Sequence, residues 1–309
     1  MIYCFGLLAM GLIMPGTALP KPGRMLFGEA YHLRPAGGAA NIAVAAKRAG
    51  AKDVMLCAAV GQDEFGQKLR THLETQKINM DYVVTHTGAT ALLHTAVIQG
   101  GYFQAAAALG IATAVRPDTI LGLIEADDHV LADTMANPRA SYAMIEQAAA
   151  KGAKTYLYYT QGFPPPETST LAAMNWMITD PLSLRDFFKQ ELEDTEDALA
   201  NWASDFVREH AVNLAIQTSP SETLVFTYEG AWRWKGLKTE SLDFTGAPEA
   251  WLGTLVTALA AGLPENRALA RAAAAASLST LALGAQDAMV QNQTLAEWLP
   301  DLPEPDRIG

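Results

Sequence analysis

Short apolar runs alternate along this chain with stretches of helical periodicity, and no other feature limits the fold as much. Residues 2–8, 53–59, 91–99, 154–159, 176–179, 214–217, 224–228 and 231–235 read as strands. Between and after them, residues 40–49, 64–75, 141–151, 182–189, 195–210, 248–261 and 265–283 read as helices. Strands apolar at nearly every position are expected in parallel sheets, where both faces are covered. The alternation therefore predicts βαβ units: an α/β fold with a mainly parallel sheet between helices. Residues 88–101 break the pattern. Thr90, Thr95, Val97 and Ile98 lead into Gly100-Gly101, which predicts a small accessory sheet. Residues 102–115 fit two readings, because their alanines favour helix while their surroundings favour extended chain.

The 309 residues suffice for one large domain or two ordinary ones, and neither a repeat nor a long linker divides them. A hydrophobic share of 50% against 18% charged residues provides a core and excludes disorder as the main description. The formal net charge is −11 and no cluster of Lys and Arg occurs, which excludes nucleic acid and anionic membrane as partners. A small anion is not excluded, since helix N-terminal N–H groups bind phosphate without basic residues. Cys4 and Cys57 lie in apolar runs and form no ligand pattern, so neither a disulfide framework nor a zinc site is expected. A reducing, cytoplasmic setting fits. Residues 1–20 are apolar and end in Thr17-Ala18-Leu19-Pro20, as a secretion signal would. No Lys or Arg precedes the apolar run, however, so a buried first strand is the expectation. No stretch is long and apolar enough to span a bilayer.

Two glycine motifs could carry chemistry. Ala36-Gly37-Gly38-Ala39-Ala40-Asn41 opens an apolar helix; its glycines permit close backbone approach, and Asn41 offers donors and an acceptor to a hydroxylated ligand. A plain loop-to-helix junction accounts for it equally well. Asp243-Phe244-Thr245-Gly246-Ala247-Pro248-Glu249 opens a second helix, whose free N–H groups form an anion site near a carboxylate able to act as a base. Ordinary helix-start preferences for Pro and Glu explain the same residues. Asp63 reads as an N-cap within Val60-Gly61-Gln62-Asp63-Glu64-Phe65-Gly66. The six histidines show no metal spacing, and Asp118, Glu125, Asp127, Asp128 and Asp133 read as a solvated face or loop. Neither GxxxxGK[ST] nor GxGxxG occurs.

In this order, the two glycine motifs resemble the two signatures of the ribokinase (PfkB) family of carbohydrate kinases. The first is similar to a Gly-Gly stretch followed by Asn and an Ala-rich helix, the second to D-T-T-G-A-G-D-x-F. Residues 51–81 and the segment Leu281-Ala282-Leu283-Gly284-Ala285-Gln286 extend the likeness over nearly the whole chain. The resemblance implies one ribokinase-like domain over 1–309, a three-layer α/β/α sandwich with a small β lid from about 10–35 and 82–105. It implies transfer of the γ-phosphoryl of Mg-ATP to a sugar or nucleoside hydroxyl. Gly37, Gly38 and Asn41 would then hold the acceptor. Thr245, Gly246 and Ala247 would line the anion hole and the nucleotide, and Glu249 would stand where the base belongs. Asp243, Thr245 and Gly284 would shape a monovalent-cation site, and no protein metal ligand is implied. A homodimer through the lid would cover that sheet's edges.

Departures from the family pattern fall on the chemistry. Glu249 replaces Asp, and Pro248 replaces a Gly whose N–H would donate. Ser183 stands for a Glu that organises Mg and phosphate. In the nucleotide loop, Gln217-Thr218-Ser219-Pro220-Ser221-Glu222 replaces T-x-G-x-x-G, putting a negative charge near the phosphates. Ala9-Met10-Gly11 lacks the sugar-binding carboxylate of the first strand. Two functions follow: a kinase with an unusual site, or a pseudokinase that binds a small ligand or a protein without turnover.

Overall fold

The computed structural model describes residues 1–16, 23, 25, 27, 28, 30–98, 100–188 and 196–308. Thr17–Pro20, much of the expected 10–35 lid segment, and the expected element ends Gln99, Lys189 and Thr195 lie outside the described residues.

The chain opens with β1 (Ile2–Phe5), β2 (Ala9–Gly16), β3 (His32–Ala36), α1 (Gly38–Arg48), β4 (Val54–Gly61), α2 (Glu64–Thr75) and β5 (Asn79–His86). Next come β6 (Ala91–Ile98), β7 (Phe103–Ala108), α3 (Asp118–Leu121), β8 (His129–Asp133), α4 (Pro138–Ala150), β9 (Lys154–Tyr158), α5 (Thr168–Ala172) and β10 (Trp176–Thr179). The remainder is α6 (Pro181–Phe188), α7 (Glu196–His210), β11 (Asn213–Ser219), β12 (Glu222–Thr227), β13 (Gly230–Lys235), α8 (Ala247–Ala260), α9 (Glu265–Leu278), α10 (Asn292–Trp298) and β14 (Asp306–Ile308).

Ten strands form the main sheet in the order β14-β13-β12-β11-β10-β9-β8-β1-β4-β5. From β11 to β5 all neighbours run parallel, with Cys4 opposite both Leu56 and Leu131; β12 to β14 are antiparallel. The parallel strands are apolar because helices cover both faces: β4, Val-Met-Leu-Cys-Ala-Ala-Val-Gly, is buried throughout. One core, with Leu8, Ile42, Leu56, Trp251 and Leu252, lies under α1, α8 and α9. On the other face Phe5, Leu157, Met177, Ile216 and Phe226 pack beneath α4 and α7. Burying each such side chain stabilises the fold by roughly 1.5–3 kcal/mol. This is the ribokinase-like α/β fold that the sequence led us to expect. A separate four-stranded sheet, β3-β2-β6-β7, has β2 and β6 parallel and stands where the lid was expected, except that residues 82–86 belong to β5 at the edge of the main sheet.

Several expected elements change in the structure. Residues 2–8 do not form one strand: the chain leaves the main sheet at Gly6, and the Leu7 N–H turns to the Asp133 carboxylate instead of a neighbouring strand. The chain then enters the lid as β2. Residues 102–115 are extended through β7 and then coil into a 3-10 turn at Gly110–Ala114. The last long helix ends at Leu278, where the hydroxyls of Ser279 and Thr280 bond back to the carbonyls of Ala276 and Ser277. Asp63 caps α2, accepting from the Gly66 N–H at 2.8 Å. Val60 and Gly61, expected in a turn, complete β4. Asp133 is the main correction among side chains. It is fully buried at the end of β8, whereas Asp118, Glu125 and Asp127 are exposed as expected.

Candidate active site

Parallel strands deliver their C-terminal ends to one side of the sheet, and the site gathers there beneath the lid. Asp133, at the end of β8, organises the floor. One carboxylate oxygen accepts the N–H groups of Leu7 (2.9 Å) and Ala39 (2.6 Å), and the other accepts that of Met135 (2.8 Å). Burial raises its pKa, and these N–H donors pull it back. The glycine pair at the start of α1 makes this clamp possible. Gly37 has φ 106°, and a Cβ there would lie 2.4 Å from the Leu7 carbonyl oxygen; a Cβ on Gly38 would press on Asp133 at 2.9 Å.

α1 and α8 pack against each other and bring Asn41 to Glu249, whose Oε1 accepts from Asn41 Nδ2 at 3.1 Å. The Asn41 oxygen accepts from Gln286 Nε2 at 2.9 Å, and Gln286 Oε1 from His72 Nε2 at 2.8 Å. Because an amide oxygen only accepts, His72 donates, and three hydrogen bonds run in one direction toward Glu249. Burial lowers the His72 pKa, which favours the neutral ring. Burial also pushes the Glu249 pKa up to about 7; the Asn41 hydrogen bond and the residue's own N–H oppose the rise, and Asp133 adds to it. A carboxyl with such a pKa exchanges protons near neutrality.

Before α8, Asp243 closes the loop. It is fully buried and accepts from the N–H groups of Thr245 (2.9 Å) and Gly284 (2.8 Å). Asp243, Thr245 and Gly284, widely separated in sequence, therefore meet. Gly246 caps the helix with φ 86°, Ala247 is buried behind it, and Pro248 has no N–H.

Two cavities open along the loop that precedes α8. The first, of about 350 Å³, reaches from Gly37, Gly38 and Asn41 to Gly246 and Glu249, under the lid residues Ile13, Leu93 and Phe103. The second, of about 810 Å³, is lined by Thr218, Ser219, Ser221, Lys238 and Ser241. Phe244 lines both.

The profile of the pfkB family carbohydrate kinases matches residues 1–292. The chain belongs to that family. A ribokinase of Bacillus subtilis (strain 168) is 26% identical over 96% of this chain and 99% of its own. The structure of Arabidopsis thaliana ribokinase with ribose and ATP superposes with a TM-score of 0.81 at 16% identity, covering 96% of this chain and 98% of that one. A Burkholderia thailandensis nucleoside kinase with inosine gives 0.80 at 15% identity, covering 97% of each chain.

Two of the departures from the family pattern have partners of their own in the fold. Glu222 does not line the larger cavity: it accepts from Thr218 Oγ1 at 2.8 Å and lies 3.8 Å from the Arg233 guanidinium. Ser183 is buried, and its hydroxyl and N–H both go to Asp180, which caps α6. Among the described residues no group of three or more His, Cys, Asp or Glu could hold a metal ion. Other site residues escaped sequence reading. Asp133 follows an apolar run and so marks a strand end, a signal hidden by the acidic residues before it. Tyr158, Thr95 and His72 belong to no motif that marks them, and Gln286 ends a segment of family likeness that gives it no role.

Proposed function

We propose that this pfkB-family chain transfers the γ-phosphoryl of ATP to a hydroxyl of a small molecule held above Glu249. Sugars and nucleosides are the acceptor classes its family resemblance implies. One observation carries the reading: a buried carboxyl with a pKa of about 7 stands at the start of α8 in the wall of one cavity, and Phe244 in that wall also lines a second cavity. Glu249 takes the proton as the acceptor oxygen attacks the γ-phosphorus. The new O–P bond forms as the bond to the bridging oxygen breaks, and ADP leaves with that electron pair. Gly246 and Ala247 present the start of α8 to the transferring group. The hydroxyls of Ser219 and Ser221 and the Lys238 ammonium suit a phosphate-bearing ligand in the larger cavity, which Glu240 also lines. Mg²⁺ keeps most of its waters and would bind largely through the substrate phosphates. A monovalent cation beside Asp243 and a homodimer through the lid complete the proposal.

Pro248 favours the second reading, a binding protein without turnover, because removing one oxyanion-hole donor costs about 100- to 1000-fold in rate. ADP release from Mg-ATP across a panel of hydroxylated acceptors separates the two. Turnover is expected, and Glu249→Gln should reduce it by roughly 10²- to 10⁴-fold. The raised pKa also fixes a sign: kcat/KM should rise with pH, with a midpoint near 7, as Glu249 loses its proton. A panel without turnover, together with no calorimetric ATP binding, overturns the kinase reading.

A further inference from the structure

The larger cavity, of about 810 Å³, has walls of two kinds. Ser219, Ser221, Lys238 and Glu240 supply polar and charged groups, whereas Tyr102, Leu242 and Phe244 supply apolar surface. Tyr102 differs from the rest in origin, since it comes from the turn between β6 and β7, at the tip of the lid. That tip is seated on the loop before α8. The Gly101 carbonyl accepts the Phe244 N–H at 3.1 Å, and Gly101 and Asp243 form an isolated β-bridge. A Cβ on Gly101 would lie 2.7 Å from the Phe244 ring, so the approach is close. The Tyr102 and Phe244 rings stand nearly perpendicular, at 68°, with centroids 5.3 Å apart. Tyr102 nevertheless remains 64% exposed. A large ring fixed at a cavity wall and left mostly uncovered offers its surface to a planar ligand.

We propose that Tyr102 is a base-stacking residue: the nucleobase of the phosphoryl donor lies against its ring, while the phosphates reach Ser219, Ser221 and Lys238. This rests on the reading of the larger cavity as the donor's site, but not on turnover. Stacking asks only for a π-face, so it does not depend on the glycines that Gln217–Glu222 lacks. The volume suits a ligand with a base, a ribose and phosphates better than a single ring. The next residue, Phe103, lines the smaller cavity. One turn of the lid therefore serves both spaces, and a base resting on Tyr102 holds the wall that stands over Glu249.

The test uses the full chain without acceptor and compares ATP with inorganic tripolyphosphate by calorimetry at one Mg²⁺ concentration. The parent should bind ATP at least about tenfold more tightly, the usual worth of a stacked base. Tyr102→Ala should weaken ATP about tenfold and leave tripolyphosphate unchanged. Tyr102→Phe should keep both affinities, because the ring and not the hydroxyl makes the contact. All three proteins should melt alike, since residue 102 is largely exposed. Equal ATP affinity in the parent and Tyr102→Ala, a matching loss for tripolyphosphate, or tripolyphosphate binding as tightly as ATP overturns the proposal. ADP release is scored separately. ATP binding that depends on Tyr102 without turnover on any acceptor overturns the kinase reading alone; turnover with an ATP affinity indifferent to Tyr102 overturns the stacking alone. A parent that binds no ATP overturns both.

Discussion

Glu249 shows how one burial acts on both chemistry and stability. Its pKa in the folded chain is raised from 4.5 to about 7, so between those values the folded state holds more protons than the unfolded chain. Stability then falls as pH rises through that window, by about 3 kcal/mol in all. Glu249→Gln removes the penalty. The variant should melt at a higher temperature than the parent at pH 8, with the difference closing as pH drops below 4.5. Scanning calorimetry across pH checks this, and a difference that persists at low pH would contradict it. The residue itself was legible in the sequence, since it occupies the signature position of the base. Asp133 was hard to read: the apolar residues before it mark a strand end, but nothing in the sequence says that the fold will surround its carboxylate with N–H donors. Nor was Tyr158, because an aromatic residue in an apolar strand looks like core until the cavity beside it is seen.

Elements were legible where burial makes a run uniform and obscured where the chain changes sheet. β10 and α2 have the bounds that their patterns predict, each being one periodic run. The family resemblance placed a sheet over about 10–35, but the bounds of its strands were not legible: the apolar run of β1 continues into β2 without a break in hydrophobicity, and β3 is only half-buried. The start of α8 was recognisable by its glycine, and the structure supplies the reason. Gly246 combines φ 86° with a close approach: a Cβ there would lie 2.6 Å from that of Ala285. Gly246→Ala should lose about 1–3 kcal/mol from the backbone conformation and a similar amount from overpacking. Gly262 has a comparable φ of 76° with nothing within 4 Å, so Gly262→Ala should show the conformational loss alone. Equal losses in urea denaturation of the two variants would show that the Ala285 contact is not what holds the loop.

At the scale of the whole molecule, the two sheets face different constraints. In the main sheet, long helices cover the parallel strands on both faces. The lid has an edge at β7, whose residues Phe103–Ala108 are all exposed and uncharged. Uncharged exposed edges invite pairing with another chain, and soluble proteins usually blunt them with charge, proline or a cover. A second copy is the occupant we propose, β7 pairing with its own symmetry mate. The lid also reaches back to the body through Arg34, which meets Asp287 at 2.6 Å. That pair is more than a third exposed on both sides and adds little stability, so it leaves the lid's position to its packing. An inward-pointing or edge charge is the natural way to break such pairing, and Ala106→Lys places one in the middle of β7. Light scattering should give twice the chain mass for the parent and the single mass for the variant, with both melting alike. A monomeric parent would leave the edge uncovered and remove the lid dimer from the proposal. Acceptor binding measured on the same variant then separates the lid's two roles, since Phe103 lies both in β7 and in the wall of the smaller cavity. If pairing stiffens that wall, the monomeric variant should bind the acceptor more weakly while its ATP affinity stays unchanged.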